Sequence, residues 1–254
     1  MNSDVKSAKR VLSILQFFAQ TKAPATLTQI SSALGFPKSS CLALLDTLEG
    51  EGYARLDAGR YYLTRRWLNE ARIVAEHDQL TALVRPELER LRDTLGETLI
   101  LGQRSGRRVV YLDVAEPDRV VRFTAWTGQT KPLHASASGR ALLGAMDAPE
   151  REHLLENLTL DRYTDATPTT LAELRKEIDA GLRRGWHLNL GQHQADTLSI
   201  ACAMRLYGTP YCLIVGAPMD RARVRADEIG QALAQACKHL ASQIDGVEAA
   251  SPRD

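Results

Sequence analysis

The sequence predicts an α+β protein of two domains, in which a winged helix-turn-helix precedes a larger domain built on an antiparallel sheet. Two observations support this fold class. Residues 26–50 carry the capping residues, apolar spacing and turn residues of two short helices joined by a tight turn. From residue 97 onward, short β-branched runs between turn residues replace the helical spacing, which predicts strands with helices beside them. The 254 residues, 44% of them hydrophobic, suffice for two separate cores.

The first predicted helix covers residues 7–20. Its apolar residues recur at helical spacing and form one face, made by Ala8, Val11, Leu12, Leu15 and Phe18. Phe17 widens this surface beyond a single stripe. A wide stripe fits a broad core contact or a contact between two copies of the chain, and the sequence favours neither.

A capping box marks the start of the next helix. Thr26 and Gln29 stand three residues apart, so the threonine hydroxyl and the glutamine side chain can each bond a free backbone N–H. Gly35 is suited to end this helix and Pro37 to begin the following one. The residues predicted to be buried in this pair of helices are Leu27, Ile30, Ala33, Leu34, Leu42, Leu45 and Leu48.

The start of the second helix of the pair carries polar residues on its outer face. In a helix-turn-helix this end enters the DNA major groove. The contacts predicted here are Thr28, Gln29, Lys38, Ser39 and Ser40. Because any globular domain can contain a helical hairpin, the pair alone does not establish DNA binding.

Two short strands are predicted next, at residues 53–56 and 60–64. Gly59 lies between them and can supply the positive φ that a tight hairpin needs. A helix pair followed by a hairpin is typical of a winged helix. The arginines on or after this wing that are placed to meet DNA phosphates are Arg55, Arg60 and Arg65.

Residues 66–95 keep helical spacing almost without turn residues, with one break predicted at Pro86. The chain is therefore divided into a DNA-binding domain at residues 1–66, a linker helix at 67–84 and a second domain at 85–254. A helical linker is stiff enough to transmit a change of angle between domains.

The second domain is predicted to contain strands and helices on an antiparallel sheet. The strands are residues 98–101, 109–114, 120–124, 186–190, 198–206 and 211–217. Helices begin at Ser136, Asp147 and Thr170, the last two with a glutamate three residues later that completes a capping pair. The inward-facing residues of the last helices are predicted to be Leu174, Ile178, Leu182, Ile229, Leu233, Cys237, Leu240 and Ile244.

Composition indicates the cellular setting. The net charge is +1, but basic residues exceed acidic ones before residue 71, which fits an N-terminal domain that meets phosphate. The four cysteines lack CxxC or zinc-ligand spacing and are predicted to be reduced; Cys41 is more typical of a buried residue than of a redox sensor. No apolar run is long enough for a signal segment or a membrane span, so we expect a cytoplasmic protein without a membrane partner.

His134 to Gly139 lead into a helix of small residues whose first N–H groups are uncrowded. Such a helix start can bind a carboxylate, and Ser136 and Ser138 could add hydroxyl donors. A plain serine N-cap packed on the sheet explains the same residues. A hydrolytic pair of His134 and Ser138 is a weaker alternative, because no nucleophile elbow accompanies it. A metal-responsive regulator is another, but His153, His187 and His193 lack ligand spacing.

Two blocks of the chain resemble the IclR family of bacterial transcription regulators. SAKRVLSILQFFAQ and LTQISSALGFPKSSCLALLDTLEGEGYARLDAGRYYLT are similar to the family's DNA-binding domain. PLHASASGRALLGAM, the GW pair and CLIVGAP are similar to its effector domain, in the same order. The resemblance implies a GAF-like second domain and a homo-oligomer, either a dimer or a dimer of dimers. Such a protein binds double-stranded operator DNA, responds to a small organic acid, controls a catabolic operon and has no enzymatic activity or cofactor.

The resemblance also implies effector contacts, at Ser136, Ala137, Ser138, Gly139, Asn189, Gln192, Ser199, Ile214 and Gly216. The chain departs from the family pattern where relatives often carry two serines on the closing strand, because it has Ile214 and Gly216 there. It also lacks their acidic run after GW. A less polar pocket predicts a larger acid with an apolar body, such as an aromatic or medium-chain carboxylate. Leu42 and Ala43 stand where relatives commonly have a polar residue and an arginine, which shifts the expected base reading toward Lys38.

Overall fold

The computed structural model describes residues 5–250, with side chains to Ile244. The first four residues of the predicted DNA-binding domain and the last four of the chain lie outside this range. The described chain divides into two compact units after Asp78. None of its helices combines the length and apolar character that a membrane span requires.

The N-terminal unit is a winged helix-turn-helix. Its elements are α1 (Lys6–Thr21), α2 (Leu27–Leu34), α3 (Lys38–Gly50), β1 (Ala54–Asp57), β2 (Arg60–Leu63) and α4 (Arg66–Glu76). The strands β1 and β2 pair as an antiparallel hairpin, and its turn uses Ala58 at φ 47° and Gly59 at φ 74°. Two successive positive φ values are those of a type I′ turn, which matches the right-handed twist of the strands.

The core of this unit corrects the sequence predictions for α1, α2 and α3, and Ala8, which was expected on the inner face of α1, is exposed. Ile14 is fully buried at its centre, whereas Leu12, which was expected to face inward, is 59% exposed. On α3, Cys41, Leu45 and Leu48 form the buried stripe, and Leu42 is 40% exposed. Adjacent helical positions point about 100° apart, so Cys41 occupies the inner face and turns Leu42 toward solvent. Ala33, also expected in the core, is exposed.

The C-terminal unit is a six-stranded antiparallel sheet with helices on both faces. Its strands are β3 (Thr98–Ser105), β4 (Arg108–Ala115), β5 (Thr130–Pro132), β6 (His187–Leu190), β7 (Thr197–Leu206) and β8 (Thr209–Pro218), in the spatial order β5-β4-β3-β8-β7-β6. Its helices are α5 (Gln79–Leu95), α6 (Ala137–Gly144), α7 (Ala148–Glu156), α8 (Leu171–Arg184), α9 (Met219–Ala222) and α10 (Ala226–Ala250).

Each sheet face covers its own core because side chains alternate along a strand. One face carries Leu213 and Val215 and packs against α5 and α10. The opposite face carries Ile100 and Ile214 and packs against α6 and α8. All five residues predicted to face inward on the last helix are buried in the core between α10 and the sheet.

Four details of this unit differ from prediction. The helical break falls at His77 and Asp78, and Pro86 lies inside α5, where the buried stripe continues across it from Val84 to Leu88. Residues 120–124 form no strand, since the neighbouring edge of β4 pairs with β5 instead. Leu182 is 48% exposed. Asp147 caps α7 without a side-chain hydrogen bond, whereas Thr170 and Glu173 form the expected capping box.

Candidate nucleic-acid interface and effector pocket

The turn between α2 and α3 is held by local contacts. Thr26 donates its backbone N–H to Oε1 of Gln29 at 2.9 Å and accepts the backbone N–H of Gln29 at 3.3 Å, which completes the capping box. Gly35 ends α2 at φ 64°, in the left-handed region that favours glycine. Gln29, predicted as a DNA contact, thus has its side-chain oxygen engaged within its own helix.

The outer face of α3 is available to a groove. Lys38 and Ser39 are exposed at the helix start and Ser40 is half-buried. Leu42 and Ala43 continue the exposed face one turn later. An apolar side chain on such a face can contact the thymine methyl group. The structure therefore puts one cation and two apolar residues where a base-reading surface would lie.

The wing cations differ in availability. Arg55 lies 4.1 Å over the ring of Tyr62 and 3.3 Å from the carboxylate of Asp57. Arg60 donates to the carbonyl of Pro24 at 3.4 Å. Arg65 and Lys38 are exposed and have no ion pair within residues 5–244. Thr28 is also exposed. Lys38 and Arg65 can meet phosphate without first breaking an internal contact.

In the C-terminal unit, strand register aligns a row of small and polar residues. Asn189 pairs with Ser199, Ser199 with Gly216, and Gly216 with Thr98 across four neighbouring strands. Asn189, Ser199 and Gly216 of this row line one cavity. The cavity's other lining residues are Ile100, Tyr111, Phe123, Lys131, Ser136, His193, Gln194, Thr197 and Ile214. Ser136, Asn189, Ser199, Ile214 and Gly216, which the sequence predicted as effector contacts, therefore lie together.

Most polar groups predicted to face an effector are bonded within the protein. The hydroxyl of Ser136 donates to the carbonyl of Pro132 at 2.6 Å and accepts from the N–H of Gly139 at 3.0 Å. Asn189 donates from Nδ2 to the carbonyl of Ala135 at 2.6 Å and accepts the N–H of Gln192 at 2.9 Å. Such groups shape the cavity and offer few free donors.

The remaining predicted contacts on α6 do not line the cavity. Gly139 presses against the backbone of Leu133, where a Cβ would collide with the carbonyl oxygen. Ala137 is fully buried, and the hydroxyl of Ser138 donates to that of Ser136 at 3.2 Å. This part of the helix start is a packing contact, as the N-cap interpretation expected.

A buried arginine holds Gln192. Arg140 is fully buried and donates from Nη2 to Oε1 of Gln192 at 2.6 Å and to the carbonyl of Leu188 at 2.7 Å. Burial lowers the pKa of Arg140 to about 10, so it remains charged at neutral pH. Sequence reasoning missed this residue; its place in the small-residue run SASGRALLG is the signal that it lies on a buried helix.

Sequence reasoning also missed Lys131, the cationic group of the cavity. The residue is 7% exposed, and no carboxylate within the described chain pairs with its ammonium group. Its ammonium group lies 5.7 Å from the centre of the Phe123 ring. Burial and the nearby charge of Arg108 lower its pKa. A buried ammonium group without a counter-ion favours an anion from outside the chain.

The rest of the lining is neutral and largely apolar. Burial, followed by the charges of Lys131 and Arg108, lowers the pKa of His193 to about 4, so its ring is neutral at pH 7. The hydroxyl of Tyr111 has no hydrogen-bond partner in the described structure. The cavity has a volume of about 20 Å³, roughly the space of one water molecule. Phe123 accounts for much of this closure, because its ring lies over Gly216.

The alternative sites are not assembled. Nε2 of His134 bonds the carbonyl of Asp161 at 2.9 Å, while Ser138 bonds Ser136, so these two residues form no hydrolytic pair. Within the described residues, no three histidine, cysteine, aspartate or glutamate side chains form a metal-binding group. The four cysteines are free and buried.

Comparison with known proteins gives the family. Residues 73–246 match the C-terminal domain of the bacterial transcriptional regulator IclR, and residues 7–58 match the IclR helix-turn-helix domain. The transcriptional repressor IclR of Escherichia coli K12 is 24% identical over 250 residues, which cover 96% of this chain and 91% of the repressor. The regulator KipR of Bacillus subtilis is 27% identical over 201 residues, covering 79% of this chain and 80% of KipR.

Solved structures share the fold. Thermotoga maritima IclR has a TM-score of 0.79 at 17% identity, covering 94% of this chain and 98% of that one. An IclR homologue from Microbacterium hydrocarbonoxydans, complexed with 4-hydroxybenzoate, has a TM-score of 0.76 at 22% identity, covering 95% and 100%. Since the C-terminal match alone spans more than half of the sequence, this chain belongs to the IclR family of bacterial transcriptional regulators.

Proposed function

We propose that the protein is an oligomeric, cytoplasmic repressor of a catabolic operon whose effector is a small organic acid bound in the Lys131 cavity. Lys131 is the observation that carries the effector assignment. The residue is 7% exposed, and its ammonium group has no carboxylate partner in the described chain. A carboxylate supplied by a ligand would pair with this charge and offset the cost of burying it.

The size and lining of the cavity favour an acid with an apolar body. Ile100, Tyr111 and Ile214 form an apolar floor, and the polar groups of Ser136 and Asn189 are already bonded. The Microbacterium homologue was solved with 4-hydroxybenzoate, an acid of this kind. This supports an aromatic carboxylate as the effector of this chain.

The DNA-binding role rests on the exposed start of α3. Lys38 and Ser39 face outward there, and Leu42 follows on the same exposed surface. We infer that α3 enters the major groove of double-stranded operator DNA, and that two copies bind half-sites one or two helical turns apart. The Escherichia coli relative is named a repressor, which supports the same direction of control here.

Effector binding changes the affinity for DNA by shifting the population of the protein between two conformations. An acid that binds one arrangement of the units more tightly than another shifts the equilibrium by that difference in affinity and by no more. We propose that residues 67–84, which join the two functional parts, carry this change.

The test is fluorescence anisotropy of the purified chain on its own upstream intergenic DNA, titrated with salt and with organic acids. The acids are pyruvate, glyoxylate, benzoate, 4-hydroxybenzoate, protocatechuate and phthalate. We expect salt-sensitive, sequence-selective binding that one acid weakens. Binding no tighter than to random DNA would contradict the DNA role, and indifference to every acid would contradict the effector role.

A pair of variants locates the DNA contact. Lys38→Ala should weaken operator binding by about tenfold, because it removes a cation that meets the groove. Lys176→Ala removes an exposed cation from α8 in the other unit and should leave affinity unchanged. Equal affinities of the two variants would argue against this docking of α3.

A further inference from the structure

Phe123 fills the space above the central strand of the cavity. If residue 216 carried a Cβ, that atom would lie 2.5 Å from Cδ1 of Phe123 and 2.8 Å from Cγ. Glycine at position 216 therefore leaves the space that the ring of Phe123 occupies. The ring is half-buried and packs against the apolar core that contains Ile100, Tyr111 and Ile214.

The backbone on both sides of Phe123 is fixed. Thr98 donates its hydroxyl to the carbonyl of Phe123 itself, in a short hydrogen bond. Glu116 accepts the N–H of Ala125 at 3.0 Å and a guanidinium hydrogen of Arg122 at 2.8 Å. Rotation about the side-chain bonds of Phe123 can move the half-buried ring out of the cavity while these anchors hold the segment.

The arrangement of ring and charge matches an aromatic acid. The Phe123 ring lies flat on a glycine and an apolar floor, and the unpaired ammonium group of Lys131 lies 5.7 Å from its centre. A benzoate ring in the same place would extend a carboxylate from its edge, a group that the phenylalanine lacks. The cavity left beside the ring, about 20 Å³, is too small for any carboxylic acid.

We propose that Phe123 is an internal occupant of the effector site, and that the effector is a single-ring aromatic monocarboxylate whose ring replaces that of Phe123 and whose carboxylate pairs with Lys131. This inference rests on the proposed function of the cavity. It adds a specificity residue, because an acid must supply enough apolar surface to replace the ring. Short aliphatic acids such as pyruvate can pair with Lys131 but cannot fill the space that the ring vacates.

The first test follows the ring directly. The chain has four phenylalanines, and Phe123 alone of them lies beyond the N-terminal unit. Protein labelled with 4-fluorophenylalanine should give four ¹⁹F signals, of which Phe123→Leu removes one and so assigns it. Benzoate should move this signal toward the solvent-exposed value and leave the other three in place. Saturating benzoate that leaves the Phe123 signal unmoved would overturn the proposal.

The second test measures competition. By isothermal titration of the full chain, Phe123→Ala should bind benzoate about tenfold more tightly, the factor expected if the ring occupies the site about nine-tenths of the time. Trp126→Ala, which shortens an exposed aromatic residue of the same segment, should bind as the unaltered chain does. Weaker binding by Phe123→Ala would show that the ring contacts the ligand rather than competes with it, and would overturn the proposal.

Comparison with pyruvate separates this inference from the proposed function. If the unaltered chain binds pyruvate but not benzoate, and Lys131→Met abolishes that binding, the carboxylate site stands and the role of Phe123 is overturned. If no acid binds to the unaltered chain or to Phe123→Ala, the proposed effector site itself is wrong. Tighter binding of benzoate by Phe123→Ala, with benzoate bound more tightly than pyruvate by both proteins, supports the inference.

Discussion

Replacing Lys131 with methionine should make the protein more stable and less responsive at once. The lysine residue is 7% exposed, and its charge has no carboxylate partner in the described chain. Methionine has a similar length and no charge, so the variant removes the cost of burying an ammonium group. That cost is about 1 to 3 kcal/mol for an imperfectly compensated buried polar group.

The change in stability translates into a shift of the melting temperature. For a domain of this size, 1 kcal/mol corresponds to roughly 2 to 4 °C. We therefore expect the unfolding transition of the C-terminal unit to rise by roughly 2 to 12 °C in Lys131→Met, as measured by differential scanning calorimetry. Lys238→Met changes an exposed lysine of the same unit and should leave the transition within about 2 °C of its original position.

The same variant should lose affinity for the acid effector. A charge-assisted hydrogen bond is worth about 1.5 to 3 kcal/mol, so the dissociation constant should rise by roughly 10- to 150-fold. The pH dependence has a definite sign. Since burial and the charge of Arg108 lower the pKa of Lys131, affinity should be full below that lowered pKa and decline as pH rises through it. A lower melting temperature with unchanged affinity would refute the reasoning.

Three further predictions concern the rest of the molecule. Burial lowers the pKa of His187 to about 4, so the unfolded chain binds more protons at this residue below pH 6.5. Urea unfolding should therefore lose about 2 kcal/mol less stability from pH 7 to pH 5 in His187→Gln than in the unaltered chain, where His193 contributes a similar loss. Gly139→Ala should destabilise the fold by about 1 to 3 kcal/mol through collision with Leu133, whereas Gly50→Ala, with open space around its Cα, should not; equal melting temperatures would contradict this packing. Cys202, 8% exposed, should react with a thiol reagent before the fully buried Cys212, and simultaneous modification of the two would count against the structure.

The winged helix was predictable because its signals are local. The capping box at Thr26 and Gln29, the stop at Gly35 and the turn at Gly59 each act within a few residues, and the structure confirms all three. Errors arose where a neighbour competed for the same role. Leu42 is the stronger hydrophobe by type, but Cys41 is in phase with Leu45 and Leu48 and takes the buried position.

The cavity was harder to predict because distant segments form it. Lys131 lies on β5, the edge strand of the sheet, and a lysine on an edge strand ordinarily faces solvent and discourages aggregation. Its burial becomes evident only from the structure, in which Val109 of β4 pairs with Lys131 and the Phe123 ring covers it. Phe123 was assigned to a strand on the β-branched character of Val120 and Val121, which are both exposed.

The central strand β8 separates the cavity on one face of the sheet from the hydrophobic core on the other. Ile214 and Gly216 face the cavity, while Leu213 and Val215, their immediate neighbours, pack in the core that includes Val84 and Leu88 of α5. A ligand that pushes this strand therefore presses on the core that α5 and α10 share. Under the proposed function, the effector cavity and this core lie on opposite faces of the same strand, so a displacement of β8 would reach the core without any intervening element.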